Sequence, residues 1–85
     1  MVYKLVGYDR ATELVAAEHV IPDTLVERAK NAAGIRARPE IIGDWPLNEH
    51  QARKIAAMIG ATDIAGRDWF LEPYSETARE GRTAA

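Results

Sequence analysis

Glu13-Leu14-Val15-Ala16-Ala17-Glu18-His19-Val20-Ile21 decides the fold, because it can be read with either of two periods. Read as a strand, it puts Val15, Ala17, His19 and Ile21 on one face and Leu14, Ala16, Glu18 and Val20 on the other. Read as a helix, it gathers Leu14, Ala17, Glu18 and Ile21, and Glu18 then interrupts the apolar stripe. The preceding residues favour the strand. Val2 to Tyr8 is rich in β-branched and aromatic side chains, with Lys4 alternating between Tyr3 and Leu5. Asp9-Arg10-Ala11-Thr12 supplies polar turn chemistry between two apolar runs of matching length, which is the pattern of a β-hairpin.

Downstream, Pro22 and Asp23 end the strand, and Thr24-x-x-Glu27 has capping-box spacing. Leu25, Val26, Ala29, Ala32 and Ala33 then give a small-sided helical stripe. Gly34 is suited to a left-handed stop, and Ile35 to the apolar contact that accompanies it. Ile35 to Trp45 reads as an irregular connection, and Pro46 pushes Trp45 towards extended backbone. A second helix is marked by the capping box Asn48-x-x-Gln51 and a staple between Leu47 and Ala52. Its stripe is Ala52, Ile55, Ala56 and Ile59, and Gly60 closes it. Trp69-Phe70-Leu71-Glu72-Pro73-Tyr74 reads as a last strand, with Pro73 at its end or on a sheet edge.

These elements predict an α+β fold in the order β-β-α-α-β: a three-stranded antiparallel sheet with both helices packed on one face. Residues 1–74 are expected to form a single domain. Residues 75–85, which carry no apolar side chain larger than alanine, are expected to be a disordered polar tail. In 85 residues without cysteine, neither a disulfide nor a cysteine-based zinc cluster can supplement the small core. Self-association is then an economical way to bury more surface. The net charge of −2 gives no general attraction to nucleic acid or an anionic membrane. No segment reads as a secretory signal or a membrane span, so a cytoplasmic location is the expectation.

Catalytic chemistry finds little support in the residue types present. The chain has one serine, Ser75, and no cysteine, which disfavours Ser-His-Asp and Cys-His hydrolases. His19 and His50 each follow a glutamate but share no ligand spacing, so no metal site is expected. No glycine-rich phosphate loop is present, and no cofactor is expected. Asp44, Asp63 and Asp68 fall in loops, where aspartate ordinarily builds turns; they leave acid–base chemistry as the one enzymatic route.

Binding features are clearer. Arg28, Lys30, Arg36 and Arg38 form a run of cations, and Trp45 lies near them in sequence. The helix's own negative end accounts for Arg28 and Lys30. The long bend from Gly34 to Leu47 is incompatible with a helix-turn-helix reader. Trp45 can pack over the core or stand exposed as an interface anchor. The expectation is therefore a non-enzymatic protein-interaction module, pairing with itself as a homodimer or with another protein, through Arg36, Arg38, Asp44 and Trp45. Two alternatives stand beside it. One is a small acid–base enzyme or ligand-binding protein with a pocket between sheet and helices. The other is an anion or nucleic-acid binder using Arg28, Lys30, Arg36 and Arg38.

The segments Tyr8 to Val15, Pro46 to Ala52 and Trp69 to Tyr74 together resemble small bacterial domain proteins without an assigned function, some of them encoded beside toxin–immunity or defence loci. The resemblance spans most of the expected domain through turn, cap and core patterns. It carries no catalytic residue across and implies only a protein-binding role.

Overall fold

The computed structural model describes residues 2–35 and 43–74. Strand β1 (Val2–Asp9) and strand β2 (Val15–Ile21) form the antiparallel hairpin, so the deciding segment is extended from Val15 onward, while Glu13, at φ +61°, and Leu14 belong to the turn. Its turn is held by Asp9, whose carboxylate accepts from the N–H groups of Ala11 and Thr12 at 2.8 and 2.9 Å. Helix α1 (Val26–Ala32) and helix α2 (Glu49–Ile59) follow, with strand β3 (Trp45–Leu47) between them and strand β4 (Arg67–Tyr74) last.

The sheet has four strands rather than the expected three, in the order β2-β1-β4-β3. The additional strand is Trp45-Pro46-Leu47, paired antiparallel with Phe70 and its neighbours. A proline inside three residues hides a strand from a reading based on propensity. It is tolerated because β3 lies at the sheet edge, where a missing N–H need not break a ladder. β4 takes a central position between β1 and β3. Its Pro73 lies two residues beyond Leu71, the last β4 residue that pairs with β3.

Helix α2 is built as its sequence requires. Asn48 accepts from the Gln51 N–H at 2.8 Å, and the Gln51 side chain accepts from the Asn48 N–H at 2.9 Å. The capping box expected at Thr24 does not form. Asp23–Leu25 make a 3₁₀ turn, and Leu25 is the N-cap of α1, with no side-chain hydrogen bond. Pro22 directs this outcome, since its carbonyl accepts from the Leu25 N–H at 2.8 Å and tightens the entry. The other end of α1 matches expectation. Ile35 N–H donates to the Lys30 carbonyl and Gly34 N–H to the Asn31 carbonyl, with Gly34 at φ +81°.

One face of the sheet carries Tyr3, Leu5, Ile21, Trp69 and Leu71, and these join Ala29, Ala33, Ala52, Ile55 and Ala56 of the helices in one core. Trp45 and Leu47 pack against its margin. Gly7 lies on this face, and a Cβ built on it would sit 2.7 Å from the Trp69 ring. The indole therefore lies directly across β1, and its Nε1–H donates to the Ile64 carbonyl at 2.8 Å. Among the described residues, the opposite face carries no helix. No helix among the described residues is long and apolar enough to cross a membrane.

Gly7→Ala is expected to lower stability by about 1–3 kcal/mol, because the added methyl must displace either the indole or the backbone of a central strand. A urea unfolding midpoint unchanged from wild type would show that the ring has room to move.

Candidate functional site

The helix-free face has a buried charge at its centre. Glu72 is 2 % exposed. Its Oε2 accepts from the Tyr8 hydroxyl and its Oε1 from the Tyr74 hydroxyl, both at 2.6 Å. Antiparallel register places these groups together: Lys4 opposes Glu72, and Val2 opposes Tyr74. Lys4 Nζ stands 4.5 Å from the centre of the Tyr74 ring and 2.6 Å from Glu18 Oε1. A carboxylate taken from water is tolerated only when its oxygens are hydrogen-bonded and a cation is near, and this face supplies both.

The carboxylate in turn changes its partners. The hydrogen bond to Glu72, with burial and the negative charge itself, pushes the Tyr74 hydroxyl up to about 12. The same causes move Tyr8 further in the same direction. Burial, followed by the charge of Glu72, also raises the Asp44 carboxyl. Tyr8 meets Phe70 edge to face at 5.5 Å. Beside this pair lies an open cavity of about 250 Å³ lined by Tyr8, Asp9, Glu13, Asp44, Asp68 and Phe70. Two of its carboxylates are already engaged. Asp9 holds the hairpin turn, and the N–H groups of Thr12 and Ala11 keep its carboxyl below the usual range. Asp68 accepts from Arg10 at 3.0 Å.

The proposed contact surface is divided by the structure. Arg36 and Arg38 lie outside the described residues. Asp44 lines the cavity on the helix-free face, whereas Trp45 is half-buried on the other face of the sheet. The Trp45 Nε1–H donates to the Ala33 carbonyl at 2.9 Å, which ties β3 to the end of α1 and makes the residue a packing element. Lys30 is likewise not part of an exposed cationic run. It is buried, with Nζ 4.8 Å from the centre of the Tyr3 ring and 3.8 Å from Glu27. Arg28 is exposed.

The histidines stay apart. His19 stacks on Trp69 with centroids 6.3 Å apart, and its Nε2 is 3.2 Å from Asp63. Burial alone would raise the Asp63 carboxyl, but its own backbone N–H, Arg67 and His19 together hold it below the usual range. His50 is exposed on the first turn of α2. Among the described residues, no group of three or more metal-ligating side chains is placed to hold an ion. The space between sheet and helices is filled by Leu5, Ala52, Ile55 and Leu71, each fully buried, so packed core stands where the enzyme or ligand-binding alternative would need its pocket.

A different feature stands out at the other sheet edge. Among the described residues, Leu14, Val15 and Val20 are the exposed large apolar side chains, and all three lie on β2 or immediately before it. The alternation of residues 13–21 placed Ala17, His19 and Ile21 on one face, as observed, but Val15 pairs with Tyr8 beyond a register shift and falls out of step with them. Nor could alternation show that β2 would be an outermost strand. The Glu72 cluster was hidden for a similar reason, since Tyr8 and Glu72 are 64 residues apart and meet only through strand order.

Glu72→Gln is expected to bring the Tyr74 ionisation back towards its ordinary value near 10, followed by tyrosinate absorbance near 295 nm. The folded-state value lies above the unfolded one. The stabilisation is therefore complete below about pH 10 and is lost as pH rises through about 12 in the wild type. A tyrosine titration identical in both proteins would contradict the assigned hydrogen bonds.

No curated protein and no solved structure matches this chain. A family model does match, across residues 2–74, which is the whole span from the start of β1 to the end of β4. By that match the chain belongs to the family described as Domain of unknown function (DUF7683).

Proposed function

We propose that this domain is a non-enzymatic protein-interaction module that pairs with a second copy of itself along β2. The observation that carries the reading is the state of that edge. β2 is a seven-residue outermost strand, and Leu14, Val15 and Val20 beside its free side are 68 %, 52 % and 55 % exposed. Edge strands that avoid pairing usually display lysine, proline or strong bulges. Val15-Ala16-Ala17-Glu18-His19-Val20-Ile21 contains no lysine or proline, and its one register shift lies at the hairpin end, opposite Gly7 and Tyr8.

The second copy is favoured over an unrelated strand for two reasons. The polar side chains of β2 are already engaged from within the domain, Glu18 by Lys4 and His19 by Asp63, so Glu18 brings no unpaired charge to a two-fold antiparallel pairing. The opposite edge cannot serve, because β3 has three residues and a proline at its middle. Extension of the sheet therefore runs through β2 in both copies, which makes the contact isologous and self-limiting. A role in acid–base catalysis is weaker: the raised Asp44 carboxyl has no histidine, serine, threonine or lysine among the residues lining its cavity.

Multi-angle light scattering is expected to give twice the 9.4 kDa chain mass. Val15→Lys and Val20→Lys, both at exposed positions, are expected to return the protein to the monomer with unchanged circular dichroism. Each removes on the order of 1 kcal/mol of apolar burial and adds a charge, so dissociation should strengthen by about tenfold or more per site. A wild-type chain that stays monomeric up to about 1 mM would end this reading.

A further inference from the structure

We propose that the groove between α1 and α2 is a binding site for a doubly charged oxyanion, phosphate being the simplest member. Most basic side chains of the described residues have carboxylate partners: Lys4 with Glu18, Arg10 with Asp68, Lys30 with Glu27, Arg53 with Glu49 and Arg67 with Asp63. Among the described residues, Arg28 and Lys54 have neither an ion pair nor a side-chain hydrogen bond. They come from different helices, yet both line one cavity of about 290 Å³, together with Asn31, Ala32 and Met58.

The chemistry of this lining fits an oxyanion. Arg28 offers a planar fork of N–H donors, Lys54 a compact ammonium and Asn31 a neutral amide that can donate alongside them. The nearest acids in sequence are already committed, Glu27 to Lys30 and Glu49 to Arg53, so no carboxylate of these turns quenches the groove. Ala32 and Met58 supply apolar wall, which reduces the screening of charges held between them. Two like charges facing one hollow repel each other until an anion enters, and a dianion satisfies both. This site is distinct from the β2 edge and does not depend on self-association.

Proton–nitrogen NMR titration of the full chain with orthophosphate at pH 7.5 tests the site, with sodium chloride at matched ionic strength as the control. Phosphate is expected to shift the resonances of Arg28, Asn31 and Lys54 in a saturable manner, and chloride is not. The double variant Arg28→Gln, Lys54→Gln should weaken phosphate binding at least tenfold. Both side chains are exposed, so the spectrum should remain dispersed as in the wild type. The melting temperature should rise in phosphate above its value in chloride, and this difference should vanish in the double variant. Equal shifts in phosphate and chloride, or phosphate affinity unchanged in the double variant, would overturn the proposal.

Discussion

The close approach of the Trp69 indole to the backbone of Gly7 is the contact on which the architecture rests. A ring laid across a central strand requires that strand to have no side chain there, and Gly7 provides the space. The indole then reaches the Ile64 carbonyl, which fixes the connection between α2 and β4, and stacks with His19 on β2. A single aromatic side chain thus ties together the hairpin, the last strand and the chain that joins it to the helices. In a domain whose helices contribute mainly alanines to the core, this is a large share of the specific packing.

The sheet divides the molecule into two chemically different halves. The helix-covered face is closed by small side chains that let helices and strands approach, leaving little room for a ligand. The open face keeps a buried carboxylate satisfied by two tyrosine hydroxyls and flanked by a lysine. That arrangement is costly to disrupt, because removing either donor leaves one buried carboxylate oxygen without its hydrogen bond. Its physical effect is to order β1 against β4 at both ends of the open face. Both proposed contacts lie at the periphery of this division: one at the β2 edge and one at the seam where two helices meet.

The sequence placed Asp44 in a loop and Arg28 on a helix, but it showed neither the cavity that Asp44 lines nor the groove beside Arg28. Trp45 takes the packed one of its two expected places, and Lys30 leaves the cationic run, for a shared reason. Each has a long amphipathic side chain that can cover apolar surface while its polar tip finds a partner. Which partner is available depends on where the chain returns: the Ala33 carbonyl for the indole and the Tyr3 ring for the ammonium.

The sequence by itself determined the features governed by neighbouring residues. Alternation within residues 13–21 made a strand, Asn48 with Gln51 capped α2, and Gly34 with Ile35 ended α1. Each depends on hydrogen bonds or side-chain faces spanning a few positions, so local pattern suffices. Only the tertiary structure decided that Trp45-Pro46-Leu47 would pair as a fourth strand, that β4 would be central and β2 outermost, and that Tyr8 would meet Glu72. These outcomes depend on strand order and register between distant segments, and the free energy that selects them comes from packing the whole core rather than from any one stretch of chain.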